Sequence, residues 1–315
     1  MSIKFMVFAT LLTSNGPYFG EEPPGLEAKL FAPGVVSTGL YEDGGLIITP
    51  DEKQVFVRVA EWPIGYYSRF FEKQGKWQGP ELASFSGNYW EGRMADHPDG
   101  KRLFISSPRP IEGTGAPKDN DFWVLSRTED GWGEPEHIKG PLNSEFDETD
   151  LTFAANGNLY FHRQRGPDHM DAFMSKEVDG KFTTPEKLEI PGYQTFWDVA
   201  PMISPDESYM VITTEGRPGP TGSLDLYVTF KNDDGTWTIP ENLGDKVNSP
   251  ESDKLSTLSP DGKYMFWISD RPLGKNWSDK KLTVEELHKP YHAPGNRKGD
   301  MYWVSTDVIE VLRPK

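Results

Sequence analysis

Short runs in which apolar and polar residues alternate recur along the chain, and a turn-forming Pro-Asp or Asp-Gly pair interrupts the clearest of them. The sequence ISPDESYMVI at residues 203–212 returns as LSPDGKYMFW at residues 258–267. Pro holds φ for a tight turn, Asp and Gly permit the chain to reverse, and an alternating strand follows. Each run therefore predicts a β-hairpin.

Weaker copies of this hairpin occur earlier in the chain. The positions that mark the five copies are 48 to 57 residues apart, and they are Pro50, Pro98, Ala155, Pro205 and Pro260. A period of about fifty residues with four strand signals in each unit is typical of propeller blades. We predict an all-β fold, a five-bladed β-propeller with four antiparallel strands in each blade.

The two ends of the repeat region complement each other. Residues 26–34 align with the end of a repeat, whereas the last repeat stops after a third strand at residues 300–305. An N-terminal strand that completes the last blade would close the ring and leave no free sheet edge. We expect residues 26–315 to form one propeller domain, with an insertion at residues 273–299. Residues 283–287 in that insertion begin like a capping box and predict a short helix.

Residues 1–25 precede the predicted propeller. Residues 5–12 are apolar and follow a single Lys, which fits a short signal peptide or a buried N-terminal strand. The run is too short to span a bilayer. The signal interpretation favours a periplasmic or secreted protein over a cytoplasmic one, and residues 16–25 are expected to be an extended lead-in.

The charge of the chain excludes some partners. A net charge of −16 argues against binding to nucleic acid or to anionic membranes, because both need a basic surface. The absence of cysteine excludes disulfides, thiolate metal sites and thiol nucleophiles. We expect a monomer with no cofactor.

Four motifs carry a resemblance to a known repeat family. They are SPDGKY at residues 259–264, SDR at 269–271, GDMY at 299–302, and Trp237 followed by PENL at 240–243. Together they resemble the WD-like, TolB-type β-propeller repeats of the Pro-Asp kind. The resemblance implies the fold. It does not imply a function, because such propellers act as scaffolds, sugar binders, lyases and peptidase gates.

A carboxylate precedes every reference position by seven residues, and a second-strand Arg follows it in four blades. The acids are Asp43, Glu91, Glu148, Asp198 and Asp253, and the arginines are Arg109, Arg165, Arg217 and Arg271. In a propeller both sets lie on one rim, so we expect pairs of guanidinium and carboxylate. The alternative is a Ca²⁺ site made by the ring of acids. No Asp-x-Asp-x-Asp-Gly calcium loop is present.

Two blades depart from this pattern, and departures are the best functional candidates. Blade one has Glu61 in place of the Arg, preceded by Arg58 and followed by Trp62, Tyr66 and Tyr67. Blade three has His162 where blade one has Arg58, followed by Arg163, Arg165 and His169. With Trp90 and Trp197 nearby, these groups would suit a sugar acid. The alternative is a satisfied loop histidine among surface arginines.

These residues support three functions. The first is a module that binds a small polar ligand, a carbohydrate, on an acidic and aromatic rim. Its predicted ligand-binding residues are Trp62, Tyr66, Trp90, Glu91, Arg109, Arg165, Trp197, Asp198, Arg217 and Arg271. The second is a lyase or dehydratase acting on uronate-containing oligosaccharides. The third is a protein-interaction scaffold.

The lyase hypothesis assigns chemical roles. His162 or Tyr67 would be the base, and Arg58, Arg163 or Arg165 would hold the substrate carboxylate. It requires His162, Arg58 and Arg163 to converge on one pocket. We also expect Arg58 and His162 to occupy exposed loop positions, where the Ser and Thr of other blades could replace them with little loss of stability.

Overall fold

The computed structural model describes residues 16–61, 64–112, 115, 118–129, 131–164, 170–193, 196–218, 222–273 and 281–315. Strands make up 43% and helices 6% of the chain, which confirms the all-β prediction. The predicted signal segment lies outside these residues. No helix within the described ranges is long and apolar enough to cross a membrane.

The strands form five antiparallel sheets arranged as a five-bladed propeller, as predicted. Strand β1 is Lys29–Leu30. Blade one contains β2 (Leu46–Ile48), β3 (Gln54–Glu61), β4 (Ile64–Lys73) and β5 (Lys76–Leu82). Blade two contains β6 (Met94–Asp96), β7 (Arg102–Ser107), β8 (Asp121–Thr128) and β10 (Glu136–His137), with β9 (Gly131–Trp132) paired to β8.

The remaining blades repeat this order from the axis outward. Blade three contains β11 (Asp147–Phe153), β12 (Leu159–Gln164), β13 (Met170–Ser175) and β16 (Glu186–Lys187), and β14 (Glu177–Val178) pairs with β15 (Lys181–Phe182) beside it. Blade four contains β17 (Trp197–Ile203), β18 (Tyr209–Glu215), β19 (Asp225–Phe230) and β20 (Glu241–Asn242). Blade five contains β21 (Asp253–Leu258), β22 (Tyr264–Ser269) and β23 (Asp300–Ser305).

Strand β1 completes blade five and closes the ring, as the sequence predicts. It pairs antiparallel with β23, with Lys29 opposite Trp303. Phe31 follows directly and is fully buried, with its ring 5.0 Å from Phe266 and 5.1 Å from Trp303. Closure is therefore secured by aromatic packing as well as by strand pairing.

The lead-in before β1 is packed rather than merely extended. Pro17–Gly20 form a short 3₁₀ turn in which Tyr18 and Phe19 have positive φ and are buried. The ring of Phe19 lies 4.6 Å from Trp77 of blade one, and that of Tyr18 lies 5.4 Å from Tyr264 of blade five. This segment joins the first blade to the last.

The repeated Ser-Pro-Asp motif forms the turn between the first and second strands of a blade. Ser204 Oγ donates to Asp206 Oδ1 at 2.8 Å, and the Ser208 amide donates to the same oxygen at 3.0 Å. Such local bonds are why Ser and Asp recur in turns. The motif therefore has a structural role in every blade that carries it.

Helices are short and lie outside the blades. The capping box predicted in the insertion is present, since Thr283 caps α1 (Val284–His288) and Glu286 bonds back to it. Lys289–His292 continue as a 3₁₀ turn, and α2 (Asp307–Glu310) follows β23.

Phe31→Ala should cost about 3–5 kcal/mol of unfolding free energy, because it leaves a large cavity beneath the closing strand. Leu26→Ala is the matched control, since Leu26 is 40% exposed and its loss should cost less than about 0.5 kcal/mol. Denaturant unfolding measures both.

Removing residues 1–34 should go further, because β23 would become a free edge and promote aggregation. If the truncated protein stays monomeric with an unchanged Tm, ring closure does not stabilise the fold.

Candidate functional site

The predicted site lies at the end of the propeller axis where the inner strands begin, which we call the rim. It is formed by residues 41–45, 89–93, 146–150, 196–200 and 251–255. In three inner strands the pairing register shifts here, and Asp150, Ala200 and Leu255 have φ of 53°, 54° and 57°. A left-handed residue at a bulge redirects its neighbours, so these positions control what faces the axis.

Four of the five predicted acids are paired with an arginine of their own blade. Each acid is at most 2% exposed, so each pair is a buried charge-assisted contact. The N–O distances are 3.0 Å for Glu91–Arg109, 2.6 Å for Glu148–Arg163, 2.5 Å for Asp198–Arg217 and 2.7 Å for Asp253–Arg271. In blade three the partner is Arg163 in place of the expected Arg165, which lies outside the described residues.

In blade one the structure assigns the acid position to Glu42 instead of Asp43. Thr38 donates to Glu42 from its amide and its hydroxyl, as Ser144 does to Glu148 four residues on. The Asp43 side chain is 28% exposed, and among the described residues its one ion pair is with Lys254, at 3.8 Å. The sequence alignment was therefore one residue off in this blade, where two consecutive acids made the choice ambiguous.

Glu42 has no arginine partner among the residues that the structure describes, and its protonation differs from that of the paired acids. Burial raises the pKa of Glu42 to about 8, and the nearby charge of Asp300 adds to the shift. Its Oε2 is buried without a hydrogen-bond partner. Glu42 is therefore largely neutral at pH 7, in contrast to the four paired acids.

Arg58 and His162 are buried on second strands, which corrects the expectation that they are exposed loop residues. Arg58 is 7% exposed and His162 is 1% exposed. Arg58 Nε donates to the Glu91 carbonyl at 2.8 Å, and the Ala200 amide donates to His162 Nδ1 at 3.2 Å. Each side chain thus bonds the backbone of the next blade's inner strand.

The same position makes the same kind of contact in two other blades. Ser106 Oγ donates to the Glu148 carbonyl at 2.7 Å, and the Leu255 amide donates to Thr213 Oγ1 at 2.9 Å. Buried backbone groups need such partners. Arg58 and His162 are therefore longer side chains at a position that bonds the backbone of the next blade. This role is in addition to any contact with a ligand.

The proposed catalytic residues are each engaged in contacts within the protein. His162 Nε2 bonds the Tyr193 hydroxyl, and its Nδ1 lies 3.4 Å from Asp150. Arg163 is held by Glu148. The Tyr67 hydroxyl donates to the Gly92 carbonyl at 2.7 Å, and burial raises the pKa of Tyr67 above its ordinary value. None of these groups is arranged as an accessible base beside a carboxylate clamp.

Aromatic faces are the accessible part of the rim. Trp197 is 43% exposed, whereas Trp90 and Tyr66 are half-buried. Trp90 carries the Arg58 guanidinium 4.9 Å from its ring centre and packs on the Gly65 backbone, where a Cβ would lie 3.0 Å from the ring. Trp62 lies outside the described residues.

Sequence comparison missed Arg93, which is the most buried cation on the axis. It occupies the position five residues before the reference, where the other blades have Gly45, Asp150, Ala200 and Leu255. Its Nη2 reaches the Ser256 carbonyl of blade five at 3.0 Å. A Cβ on Gly45 would lie 3.3 Å from that nitrogen, so the glycine leaves room for Arg93. A blade-to-blade comparison at this position would have found it.

No group of three or more potential metal ligands occurs in the part of the chain that the structure describes. The ring of acids is occupied by arginines in four blades, as the structural interpretation of that ring predicted.

Comparison with known proteins found similarity to solved structures only. No family model matches the chain, and no curated protein sequence matches it. Similar solved structures include a candidate TolB from Agrobacterium tumefaciens, 15% identical over 83% of this chain and 89% of that one, with a TM-score of 0.47. TolB from Acinetobacter baumannii is 12% identical over 83% and 56% of the two chains, with a TM-score of 0.45.

A further similar structure is a gluconolactonase from Xanthomonas campestris, 12% identical over 80% of this chain and 84% of that one, with a TM-score of 0.43. Structures similar to the chain therefore include TolB-like β-propellers, and their varied functions do not transfer to it.

Two substitutions separate the paired acids from the unpaired one. Asp198→Asn should cost about 3 kcal/mol of unfolding free energy at pH 7, because it leaves the Arg217 guanidinium buried without its counter-charge. Glu42→Gln should be at least as stable as the unsubstituted protein, since Glu42 is already neutral when folded.

The pH dependence of the unfolding free energy tests the direction of the Glu42 pKa shift. A folded pKa above the unfolded value makes Glu42 favour folding at low pH, and that contribution is lost as pH rises from about 4.5 to about 8. Glu42→Gln should flatten the stability curve in this window. An Asp198→Asn protein as stable as Glu42→Gln at pH 7 would contradict the pairing argument.

His162→Thr should now cost about 2–4 kcal/mol, because it removes a buried ring and its contacts to Tyr193 and Ala200. His292→Thr is the control, since His292 is exposed. Thermal unfolding of the two variants measures the difference, and equal Tm values would restore the original expectation of an exposed loop residue.

Proposed function

We propose that the protein is a binding module whose rim holds a small polar ligand, an acidic carbohydrate. The observation that carries the proposal is the exposure of Trp197, 43% of whose surface faces solvent directly beside the buried Asp198. Large apolar faces among fixed polar groups are typical of sites that bind ring-shaped polar ligands.

The second support is the charge left over at the rim. Four arginines are neutralised by their acids, but Arg58 forms no ion pair with any described residue. Its Nε and Nη1 bind the Glu91 and Asp43 carbonyls at 2.8 Å each, which holds the guanidinium firmly against Trp90. A sugar carboxylate would find a positioned cation and an aromatic face in the same place.

Binding is favoured over elimination chemistry by the way the other polar groups are used. His162 is 1% exposed and Arg163 is paired with Glu148, so the base and the clamp required for a uronate lyase are not available together. The paired acids are buried and fix the positions of their arginines.

Isothermal titration of the full chain with oligogalacturonate and with neutral oligosaccharides of equal length tests the proposal. The acidic sugar should bind at least tenfold more tightly, and Trp197→Ala should weaken binding about tenfold, or 1.4 kcal/mol. Ile239→Ala, at a site 74% exposed and outside the rim, is the matched control.

The same samples, followed by ultraviolet absorbance, test the alternatives. New absorbance from a conjugated double bond would replace the binding proposal with a lyase. If no sugar binds, or if Trp197→Ala binds as tightly as the unsubstituted protein, the rim is not a carbohydrate site.

A further inference from the structure

A second potential site lies along the axis, between Arg93 of the rim and the turns that follow the inner strands. A cavity of about 350 Å³ is lined by residues of all five inner strands and by the turns that follow them. Its walls are mainly apolar and include Ile47, Leu151, Met202 and the reference prolines. A ligand with an apolar body would fit such walls, because its burial removes apolar surface from water.

Arg93 is the one positively charged residue among those that line this cavity. It lines the cavity and is 6% exposed, yet it forms no ion pair with any described residue. Its Nη2 donates to the Ser256 carbonyl, whereas its Nε is buried without a hydrogen-bond partner. Burial lowers the pKa of Arg93, and the acids that oppose this shift, Asp150 and Asp43, act only from beyond ion-pair distance.

An unpaired buried cation is costly, and proteins ordinarily provide it with a counter-charge. The Arg93 position is also specific to one blade, because the other four inner strands carry Gly, Asp, Ala and Leu there. The repeat therefore does not require a cation at this position. Gly45 leaves the space in which Arg93 lies.

We propose that this cavity binds a small carboxylic acid with an apolar body, whose carboxylate pairs with the guanidinium of Arg93. The planar fork of arginine matches a carboxylate, and a partly dry cavity strengthens the contact. The cavity extends from Arg93 of the rim toward the other end of the axis, and the proposal does not depend on the function proposed for the rim.

The acids around the cavity set its pH dependence. Burial raises the pKa of Asp96 to about 8; Arg127 opposes the shift, and Asp51 and Asp99 add to it. Asp96 stands where the other blades have Ile48, Phe153, Ile203 and Leu258, and both its carboxylate oxygens are buried without a partner. At pH 7 it is largely neutral, so Arg93 is the dominant buried charge.

Two more carboxylates line the cavity beside the reference prolines. Asp261 is paired with Lys263 at 2.8 Å, and Glu52 is partly exposed to water, which screens its charge. Above pH 8 the ionised Asp96 would add a further negative charge to the wall and weaken anion binding.

Isothermal titration of the full chain at pH 7 tests the ligand class. Hexanoate should bind at least tenfold more tightly than hexanamide, which lacks the charge, and than acetate, which lacks the apolar body. Phenylacetate is a second probe with a carboxylate and an apolar body. Equal affinity for hexanoate and hexanamide would overturn the proposal, and so would a failure of both hexanoate and phenylacetate to bind.

Two substitutions test the anchor. Arg93→Met should abolish hexanoate binding, and Arg93→Lys should weaken it at least fivefold, because lysine keeps the charge but loses the fork. Arg313→Met, at a surface pair with Glu310, should bind normally. If Arg93→Met fails to fold, Arg93→Lys decides, and unchanged affinity in that variant would overturn the assignment.

Asp96→Asn provides an independent check. Hexanoate affinity of the unsubstituted protein should fall by at least threefold between pH 7 and pH 9, whereas that of Asp96→Asn should stay level. A parallel fall in both proteins would show that the cavity beside Asp96 is not where the acid binds.

Discussion

Backbone amides and carbonyls at the start of the inner strands of blades two to five lie between two blades, and the propeller depends on their being hydrogen-bonded. One position on the second strand of the preceding blade supplies the partner, through Arg58, Ser106, His162 or Thr213. A buried backbone group without a partner would cost as much as a lost hydrogen bond, or about 1–3 kcal/mol. Side chains of different length and chemistry can supply this hydrogen bond. The residue at this position can therefore vary while the contact between neighbouring blades is kept.

Buried charges at the rim also have partners in most blades. Four acids are neutralised inside their own blades, so the rim is rigid and almost balanced despite the strongly acidic chain. The exceptions are informative, because Glu42, Arg93 and Asp96 are buried ionisable groups without ion partners among the described residues. Glu42 and Asp96 are largely neutral at pH 7, which avoids the cost of a buried unpaired charge. Arg93 cannot do so at physiological pH, which is why it is the stronger indication of a ligand.

The fold could be predicted from the sequence because propeller repeats are local. Pro-Asp turns and alternating strands mark each hairpin, and the position of β1 follows from counting strands in the last repeat. The site was less predictable. Counting residues back from a turn cannot detect a bulge or decide between Glu42 and Asp43, and it did not indicate that Arg163 pairs with Glu148.

Burial was the other property that counting could not supply. Arg58 and His162 stand out from the repeat, which made them candidates for a ligand, but the neighbouring blade that buries them is distant in sequence. Arg93 was overlooked because the comparison was made at other positions of the repeat, although the information was present. Departures from a repeat thus identify special residues without saying what each one contacts.

Closure by β1 has a consequence for how the chain folds during synthesis. Lys29–Leu30 and Phe31 are synthesised before the strands of blades one to four, while their partner β23 is made after all the other strands that the structure describes. The early blades can form hairpins as they emerge, but the aromatic residues beside β1 have no complete place to pack until the end. Pairing of β1 with β23 therefore comes last in assembly. A chain whose synthesis stalls before Asp300 would leave β1 and Phe31 exposed and prone to aggregation.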